Sequence, residues 1–506
     1  MQETKRKTVT EFIAEEDIES WDNNDVITIV AGTGVGKSYF IKNTLYEYAK
    51  KTDAKILMLL HRKYPVEQFK MELEAKGKSN IIHVVTYQAI EHCKKREIQG
   101  IGKAFDFSRY KYIVSDEFHY FCNDSSFNNK TDYSFYSIMK SNAVKIFMSA
   151  TPEEVENVFL KYVKSKKIEQ PKRYSISENY NHIKTLSFFN NYDEIEELIK
   201  QFQDDEKAIV FINNCEEAYK LHKKVKDSLF LCSESNKNYY KYVDKEKIRT
   251  MLKNERFNEK ALICTSCFDA GANIVDEKVT KIICDNRDIV SLIQCLGRKR
   301  IINENDKIDV YIKNINNNQL GGNIKKLNDS LEHAEYLNKY KTSKYIKQYG
   351  KDITKGYGII YDETDENGSV FKRINWLMYY TRTYDIRTYE KMLELGKYGY
   401  CKYLARKFGF YDEEKNKYLY NIVNQNFTVT SYLKKLCDDE TLMYTNSDKS
   451  KLIEKLNVKK NGRLVKSINV LNECLKEDNI PYRIIEKNIR LNKIRYRHTW
   501  QIVKDE

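Results

Sequence analysis

The sequence lacks the features that would place it in a membrane or outside the cell. It contains no run of about 18 apolar residues, which a membrane-spanning helix needs. The opening stretch, Met1–Ala14, mixes charges with short apolar pieces and does not have the pattern of a signal peptide. The 11 cysteines are odd in number and scattered, so we expect reduced thiols and no disulfide framework. A cytoplasmic protein without a membrane partner is therefore expected.

Composition sets further limits. Proline is scarce, with 4 residues, whereas tyrosine is abundant, with 39. This bias is typical of an AT-rich genome, so the tyrosines do not by themselves indicate a base-stacking surface. A length of 506 residues suggests about three domains, and 41% hydrophobic with 32% charged residues fits a globular chain. The net charge of +14 fits a polyanionic partner without requiring one.

A glycine-rich turn between a strand pattern and a helix pattern is the first chemical motif. Glycines let successive backbone N–H groups point at an anion, and the helix start adds the positive end of its dipole. We therefore expect Lys37 to reach the β- and γ-phosphates of a nucleotide and Ser38 to hold Mg²⁺. A chance glycine turn is the alternative. The turn follows the apolar run Val26–Val30, and its residues are Ala31, Gly32, Thr33, Gly34, Val35, Gly36, Lys37 and Ser38.

Four more apolar runs end in polar clusters. Strands that alternate with helices predict a parallel sheet, in which ligand-binding groups gather at the carboxyl ends of the strands. All four clusters would then lie beside the phosphate loop. The runs and their clusters are Lys55–Leu60 before His61-Arg62-Lys63, Ile81–Val85 before Thr86-Tyr87-Gln88, Tyr112–Ser115 before Asp116-Glu117-Phe118-His119, and Val144–Met148 before Ser149-Ala150-Thr151.

The acidic pair Asp116-Glu117 is the second chemical anchor. An apolar strand that ends in two carboxylates next to a phosphate loop favours a catalytic role over a solvated loop. Asp116 would hold Mg²⁺ through water, and Glu117 would orient and deprotonate the attacking water.

A second α/β series begins near Tyr174, after a basic stretch, Lys164–Arg173, that we interpret as a linker. This series has no phosphate loop and ends in a helix that carries arginines. Its Cys264-Thr265-Ser266-Cys267 has the spacing of a metal-binding pair, but zinc would need a second pair nearby, so a buried strand end is favoured.

The order of these clusters resembles the superfamily 2 helicases and translocases of the DExH type. The matching motifs are AxTGxGKS, TYQ, DExH, SAT, a glycine motif after a strand, and QxxGR, over about residues 20–315. The resemblance implies two tandem RecA-like parallel-sheet domains with ATP in the cleft between them. It implies nucleotide contacts from Asp269, Gly271, Gln294 and Arg298, and nucleic-acid or coupling roles for Arg62, Thr86, Gln88, His119, Ser149, Thr151 and Asn273.

One motif departs from the common pattern QxxGRxxR, whose last arginine acts as an arginine finger. Here the next arginine is Arg300, one position early, and Ile301 stands at the expected place. Viral origin-binding helicases are similar in having QxxGRxR. Either Arg298 or Arg300 could therefore be the finger.

The predicted domains are residues 1–165 and 166–315 for the two RecA-like units, a mainly helical accessory region at 316–446, and a basic winged-helix-like module at 447–506. In the accessory region we expect a hairpin around Asn367-Gly368 whose acidic turn, Asp362–Glu366, is solvated. Its aromatic stretches, Met378–Tyr384 and Tyr398–Tyr403, fit a helical core better than a base-stacking surface.

The last segment, Ser447–Glu506, has 15 Lys and Arg against 8 Asp and Glu. Two helix patterns, the second including Leu464, precede two strands, which is typical of a winged helix. The second strand alternates, with Ile494, Tyr496, Trp500 and Ile502 on one face and Arg495, Arg497, Thr499 and Gln501 on the other.

We therefore expect an ATP-hydrolysing helicase or translocase that uses ATP and Mg²⁺. DNA is favoured over RNA as the nucleic-acid partner, in replication, recombination or repair and with proteins of those processes. An RNA helicase is one alternative. A site-specific DNA-binding initiator that uses the motor as an ATP switch is another.

Overall fold

The first lobe is built on a six-stranded parallel sheet with strand order β3-β2-β4-β5-β1-β6. The structure is a computed structural model that describes residues 8–32, 34–61, 63–123, 128–150, 159, 164, 171–176, 179–265, 273–351, 358–423, 425–456, 458–460, 463–477, 480–491 and 494–505. The apolar runs form the central strands because both faces of the sheet are covered. The strands are β1 Val26–Val30, β2 Ile56–Leu60, β3 Ile82–Thr86, β4 Tyr112–Asp116, β5 Val144–Ser149 and β6 Lys172–Ser175.

Strand β6 overlaps the end of the basic stretch, Lys172–Arg173, that was interpreted as part of a linker. Its residues Lys172–Ser175 pair in parallel with β1, so the first sheet extends past residue 165. Tyr174, expected to open the second series, accepts a hydrogen bond from Trp21 Nε1 at 3.2 Å within the first lobe. The charged composition of this stretch gave no indication of strand β6. The contact between Tyr174 and Trp21 helps to anchor that strand.

Helices cover both faces of the first sheet. They are α1 Val9–Phe12, α2 Glu15–Glu19, α3 Lys37–Phe40, continuing through a π-helical turn Ile41–Leu45 into α4 Tyr46–Lys51, α5 Lys63–Ala75, α6 Tyr87–Ile98, α7 Tyr120–Asn123 and α8 Thr131–Met139.

The second lobe is built on a seven-stranded sheet, also parallel, with order β17-β7-β12-β11-β8-β10-β9, in which β17 is Asn421–Ile422. With the first sheet, it confirms the predicted fold class of two tandem parallel-sheet α/β domains. Its elements are β7 Ile183–Phe189, α9 Tyr192–Lys200, β8 Lys207–Ile212, α10 Cys215–Lys224, β9 Ser228–Leu231, α11 Lys237–Tyr240, α12 Lys245–Asn254, β10 Ala261–Cys264, β11 Val279–Asp285, α13 Ile289–Leu296 and β12 Ile308–Lys313.

The region after residue 316 packs on both lobes. Its first helix is kinked at Lys341, where φ is +64°. Its last short strand, Asn421–Ile422, completes the sheet of the second lobe beside β7. The elements are α14 Asn317–Tyr349, β13 Ile360–Thr364, β14 Val370–Ile374, α15 Trp376–Glu394, α16 Gly399–Lys407, β15 Tyr411–Asp412, β16 Lys417–Tyr418 and β17 Asn421–Ile422.

The predicted hairpin forms, but its acidic turn is not wholly solvated. Glu363 is 3% exposed and accepts hydrogen bonds from the Tyr133 hydroxyl at 2.5 Å and Arg373 Nη1 at 2.8 Å. The hairpin packs against α8 of the first lobe, and burial of that surface takes this carboxylate out of water.

The C-terminal segment has its own apolar core and a three-stranded sheet of order β18-β22-β21. Helices, a short hairpin and a long hairpin follow each other as in a winged helix, although Leu464 lies in a strand and not in the second helix. The elements are α17 Gln425–Asp438, β18 Leu442–Met443, α18 Asn446–Leu456, β19 Lys459–Lys460, β20 Arg463–Leu464, α19 Ile468–Glu477, β21 Tyr482–Leu491 and β22 Ile494–Lys504.

The single alternation predicted for β22 is wrong. Paired positions Lys487 and Ile489 are two residues apart on β21, but their partners Thr499 and Tyr496 are three apart on β22. The extra residue lies near His498, whose φ is +59°. Because paired residues share a face, this bulge puts Tyr496 on the face of Thr499, to which it was predicted to be opposite.

The sequence predicts neither a membrane-spanning helix nor a disulfide framework. No helix of the described residues combines the length and apolarity needed to cross a membrane. Every cysteine in the described ranges is a free thiol.

Candidate functional site

The phosphate loop lies between β1 and α3 and has the backbone that such a loop needs. Gly34 and Gly36 have φ of +79° and +85°, which side chains other than glycine rarely adopt. Helix α1 braces the turn from outside, since Val9 N donates to Val35 O at 3.0 Å. Two left-handed glycines and one backbone hydrogen bond from α1 therefore hold the conformation of the turn.

Lys37 and Ser38 begin the helix that follows the turn. Lys37 Nζ donates to the carbonyls of Ala31 at 2.8 Å and Gly32 at 3.4 Å, so its ammonium lies over the mouth of the loop. Ser38 is exposed at the first turn of α3. A helix start with these two side chains offers a dipole, an ammonium and a hydroxyl to an anion and its metal.

The acidic pair lies next to this loop, at the end of β4. Burial raises the pKa of Asp116 above its usual range, and Glu117 adds to the shift while Lys37 opposes it. Burial also disfavours the charge on Glu117, but Lys37 and then His119 hold its pKa below the usual value. Glu117 has φ of +50°, a strained conformation that is often found at functional sites. One carboxylate of the pair is therefore kept ionised beside the loop.

His119 connects the acidic pair to the second lobe. Its Nε2 lies 2.8 Å from Gln294 Nε2 of α13, and its Nδ1 lies 3.4 Å from Ser149 Oγ and 3.3 Å from Glu117 Oε2. A side chain of the second lobe thus contacts the imidazole that also faces Ser149 and the acidic pair.

The arginine segment of the second lobe is an extended strand-like piece after α13. Ile274 N donates to Arg298 O at 2.8 Å and Arg300 N donates to Ile274 O at 2.9 Å. Between them Lys299 is buried and forms an ion pair with Asp306 at 2.5 Å. Arg298 and Arg300 therefore flank a buried lysine, and the backbone of each is hydrogen-bonded to Ile274.

Arg300 is the arginine that reaches the phosphate loop. A Cβ placed on Gly34 would lie 3.2 Å from its Nη1, so guanidinium and loop are in contact across the cleft. Burial lowers the pKa of Arg300, with the charge of Arg298 adding to the effect. Arg298 in turn helps to hold the pKa of Glu117 low. The two arginines therefore face different parts of one site.

The structure brings the other predicted residues to the same region, or leaves them undescribed. Thr86 caps α6 by accepting from Ala89 N at 3.2 Å, Gln88 Nε2 donates to His61 O at 3.0 Å, and Ser149 is fully buried. Asn273 adjoins the arginine segment, and its Oδ1 is buried without a hydrogen bond. The predicted residues outside the described ranges are Thr33, Arg62, Thr151, Asp269 and Gly271.

Sequence reasoning did not give Tyr87 a role. Its hydroxyl donates to Asp116 O at 2.8 Å, and its ring stacks on Tyr120 with centroids 4.6 Å apart. The residue therefore supports the backbone of the acidic pair from the start of α6. The sequence signal that could have indicated this role is the position of Tyr87 in the Thr86-Tyr87-Gln88 cluster.

These residues fit a nucleoside triphosphate with Mg²⁺. The left-handed glycines open the loop backbone to phosphate oxygens, and the carboxylate of Asp116 and the hydroxyl of Ser38 are ligands that Mg²⁺ prefers. Glu117 Oε2 is buried beside them, 3.3 Å from His119 Nδ1, and a carboxylate oxygen in this position can accept a hydrogen bond from a water molecule.

The solved structures to which the chain is similar include DEAD-box helicases. S. cerevisiae Dbp5 bound to RNA and ADP BeF3 is 15% identical, with a TM-score of 0.40, covering 57% of this chain and 79% of that chain. DEAD-box helicase Mss116 bound to ssRNA and UDP-BeF is 14% identical, with a TM-score of 0.43, covering 65% and 72%. A DEAD box protein from Methanococcus jannaschii is 17% identical, with a TM-score of 0.33, covering 58% and 83%.

No protein-family model matches the chain, and no curated protein matches it significantly. The identities and TM-scores of the structural similarities are low, so those proteins carry no information on what this chain does.

Proposed function

We propose that the chain is an ATP-driven helicase or translocase of nucleic acid. One observation supports this most strongly: the phosphate loop of the first lobe touches Arg300 of the second, while His119 and Gln294 meet beside it. A nucleotide bound there would contact both lobes. Hydrolysis would therefore change how the lobes contact each other, as a motor requires.

Each side chain then has a role that its position permits. Lys37 and the loop amides bind the phosphates, and Ser38 and Asp116 would hold Mg²⁺, which supplies charge neutralisation when bound. Glu117, ionised beside the loop, orients water and takes its proton. The second lobe contributes Arg300 to the charge that develops on the γ-phosphate.

We propose DNA as the substrate, because the C-terminal module carries the charge pattern of a duplex-binding element. Arg490 and Arg495 lie directly opposite each other on the hairpin, and both are exposed, an arrangement that is unfavourable unless a polyanion lies against it. Arg483, Lys487 and Lys504 are further exposed basic residues of the same hairpin. RNA remains the alternative substrate, because the groups in the cleft do not distinguish the two.

ATP turnover measured with single-stranded DNA, duplex DNA and RNA tests the proposal. We expect DNA to stimulate hydrolysis, and Glu117→Gln to abolish turnover while nucleotide still binds. If only RNA stimulates hydrolysis, RNA is the substrate in place of DNA. If ATP is not hydrolysed with any of the three nucleic acids, the motor proposal is contradicted.

The second candidate, a site-specific DNA-binding protein with an ATP switch, is favoured by the same module. Winged-helix-like modules can place a helix or hairpin against a duplex. If affinity for one defined duplex exceeds that for random duplex by about 10³ or more, this candidate gains. If affinities are equal and fall steeply with salt, the sequence-independent motor is favoured.

A further inference from the structure

Helix α15 begins in the first lobe, directly behind the acidic pair. Its capping residue Asn375 is fully buried and accepts from Leu377 N and Met378 N at 3.1 and 3.2 Å. The amide of the same side chain donates to Asn129 O at 3.0 Å and to Thr131 Oγ1 at 3.1 Å. The cap therefore joins this helix to α8 of the first lobe.

The connection continues to the segment after the acidic pair. Thr131 Oγ1 donates to Phe121 O at 2.9 Å, and Phe121 lies in α7, two residues after His119. The side chain of Leu377 packs into the apolar cluster that also holds Phe118 and Phe121. The first turn of α15 is thus fixed to the chain that carries the acidic pair and His119.

The same helix reaches α13 of the second lobe. Tyr384, Asp385, Thr388 and Tyr389 of α15 line one cleft with residues 287–290 and 293 at the start of α13. Burial raises the pKa of Asp385, and Asp288, which caps α13, adds to the shift. The next residue along α13 is Gln294, the partner of His119.

The end of α15 is locked into the second lobe. Met392 belongs to the apolar core of that lobe, together with Tyr400, Cys401 and Leu404 of α16. A Cβ on Gly399 would lie 1.8 Å from Met392 O, so the two helices touch through backbone. With 19 residues and about 1.5 Å of rise per residue, α15 is a stiff connection of ~28 Å between the lobes.

We propose that α15 is a positioning element that holds His119 and Gln294 together and so sets the separation of the two halves of the nucleotide site. The expected change in the rate of ATP hydrolysis rests on the proposed function. The claim that α15 positions α13 does not. A rigid helix fixed at both ends transmits displacement of one lobe to the other. Loosening its first anchor should therefore misplace α13, with its arginines, against the phosphate loop, and a misplacement of about 1 Å can cost ~10²-fold in rate.

Thr131→Val tests the anchor with little change of volume, because it removes the hydroxyl between Asn375 and Phe121. We expect the maximal rate of ATP hydrolysis to fall about tenfold or more while the affinity for nucleotide, set by the phosphate loop, changes less than about twofold. Thr131→Ser, which keeps the hydroxyl, should hydrolyse ATP at the wild-type rate. Asn375→Ser keeps the helix cap but shortens the donor, and should behave like Thr131→Val.

The matched control is Asn316→Ser at the start of α14, where the side chain caps a helix by accepting from Gln319 N. It should leave both rate and affinity unchanged. A double variant of Thr131→Val with Gln294→Ala should lose no more than the larger single loss, because both act on one contact. Full additivity, or normal turnover in Thr131→Val and Asn375→Ser, would overturn the proposal.

Hydrogen exchange separates this inference from the proposed function. In Thr131→Val we expect faster exchange in Ile289–Leu296 of α13 and unchanged exchange in the distant helix Tyr192–Lys200. This result does not depend on any hydrolysis. If exchange in α13 stays as in the wild type, α15 does not position it, whether or not the protein turns over ATP.

Discussion

The two lobes share an architecture and differ in what stands at their strand ends. Both have parallel sheets covered by helices. The first presents a phosphate loop and two carboxylates, whereas the second, in the part of the chain described, presents arginines and a glutamine. The comparison teaches that the sheet is a scaffold and that each lobe holds half of a site. Chemistry that needs both halves depends on how the lobes meet.

The lobes also fix their halves by different means. The loop of the first lobe is held by backbone conformation, with two left-handed glycines. The arginine segment of the second is held by the buried pair of Lys299 and Asp306, whose carboxylate also accepts from Ile302 N at 2.9 Å. The phosphate loop is fixed by glycine conformation and the arginine segment by an ion pair. Substitutions in the two halves should therefore have different effects.

Removal of the crossing arginine should have the largest effect. We expect Arg300→Ala to lower the rate of ATP hydrolysis by ~10³–10⁵, the range for an arginine finger, and Arg298→Ala to cost clearly less. The reason is that Arg300 contacts Gly34 of the loop, whereas Arg298 acts on Glu117. Single-turnover hydrolysis measures both. Equal losses, or near-normal rates in the two variants, would break the assignment of a half-site to the second lobe.

Removal of the buried lysine should act on stability. We expect Lys299→Met to lower the free energy of unfolding by about 3–5 kcal/mol, because it leaves the Asp306 carboxylate buried and unpaired. Denaturant unfolding measures the change. The double change of Lys299→Met with Asp306→Leu should recover most of it, and failure to recover would mean that the pair does not hold the segment.

Removal of residues 425–506, from α17 onwards, should weaken DNA binding more than basal hydrolysis. This segment has its own core, and its arginines on the long hairpin are exposed. We expect a loss of affinity of about tenfold or more and a shallower dependence of log affinity on log salt. Fluorescence anisotropy at several salt concentrations gives both. Unchanged affinity would assign nucleic-acid binding to the lobes alone.

We also expect a pH dependence of stability at the hairpin contact. Burial raises the pKa of Asp132 to about 7, with Glu363 and Glu91 adding to the shift and Arg373 and the Tyr361 hydrogen bond opposing it. The folded protein therefore keeps a proton that the unfolded chain loses above about pH 4. Its contribution to stability is complete below that pH and is lost as pH rises to 7, by at most ~1.4 kcal/mol per pH unit.

Asp132→Asn is the matched variant for this titration. Relative to it, the wild type should lose stability between pH 4 and 7, as measured by denaturant unfolding. Parallel curves would mean that Asp132 ionises normally in the folded protein.

Local patterns predicted where the elements of the first lobe lie. Strands β1 to β5, the glycine turn and the strand end at the acidic pair each have a signature within about ten residues, since glycine conformation and strand periodicity are local properties. The same holds for the helix that carries Gln294. What could not be predicted was which of Arg298 and Arg300 meets the loop, because that depends on a contact across 266 positions from Gly34 to Arg300.

The contacts of the accessory region were also beyond sequence reasoning. Asp132 and Tyr361 are hydrogen-bonded although 229 positions apart, and a pattern at either end gives no indication of the other. The bulge in β22 was missed for a related reason: one additional residue reverses a face without changing composition. Strand β6 was missed because its sequence is charged and its edge position tolerates that.

The short strand β17 bears on how the molecule can be divided. Asn421 and Ile422 cover the outer side of β7, Val423 N donates to Phe188 O at 2.7 Å, and the ring of Tyr420 meets that of Phe188. A fragment cut at residue 315 would keep every helicase-like motif and yet leave this β7 edge bare, open to pairing with other molecules. A fragment that keeps both sheets complete therefore extends through residue 423, far past the last recognisable motif.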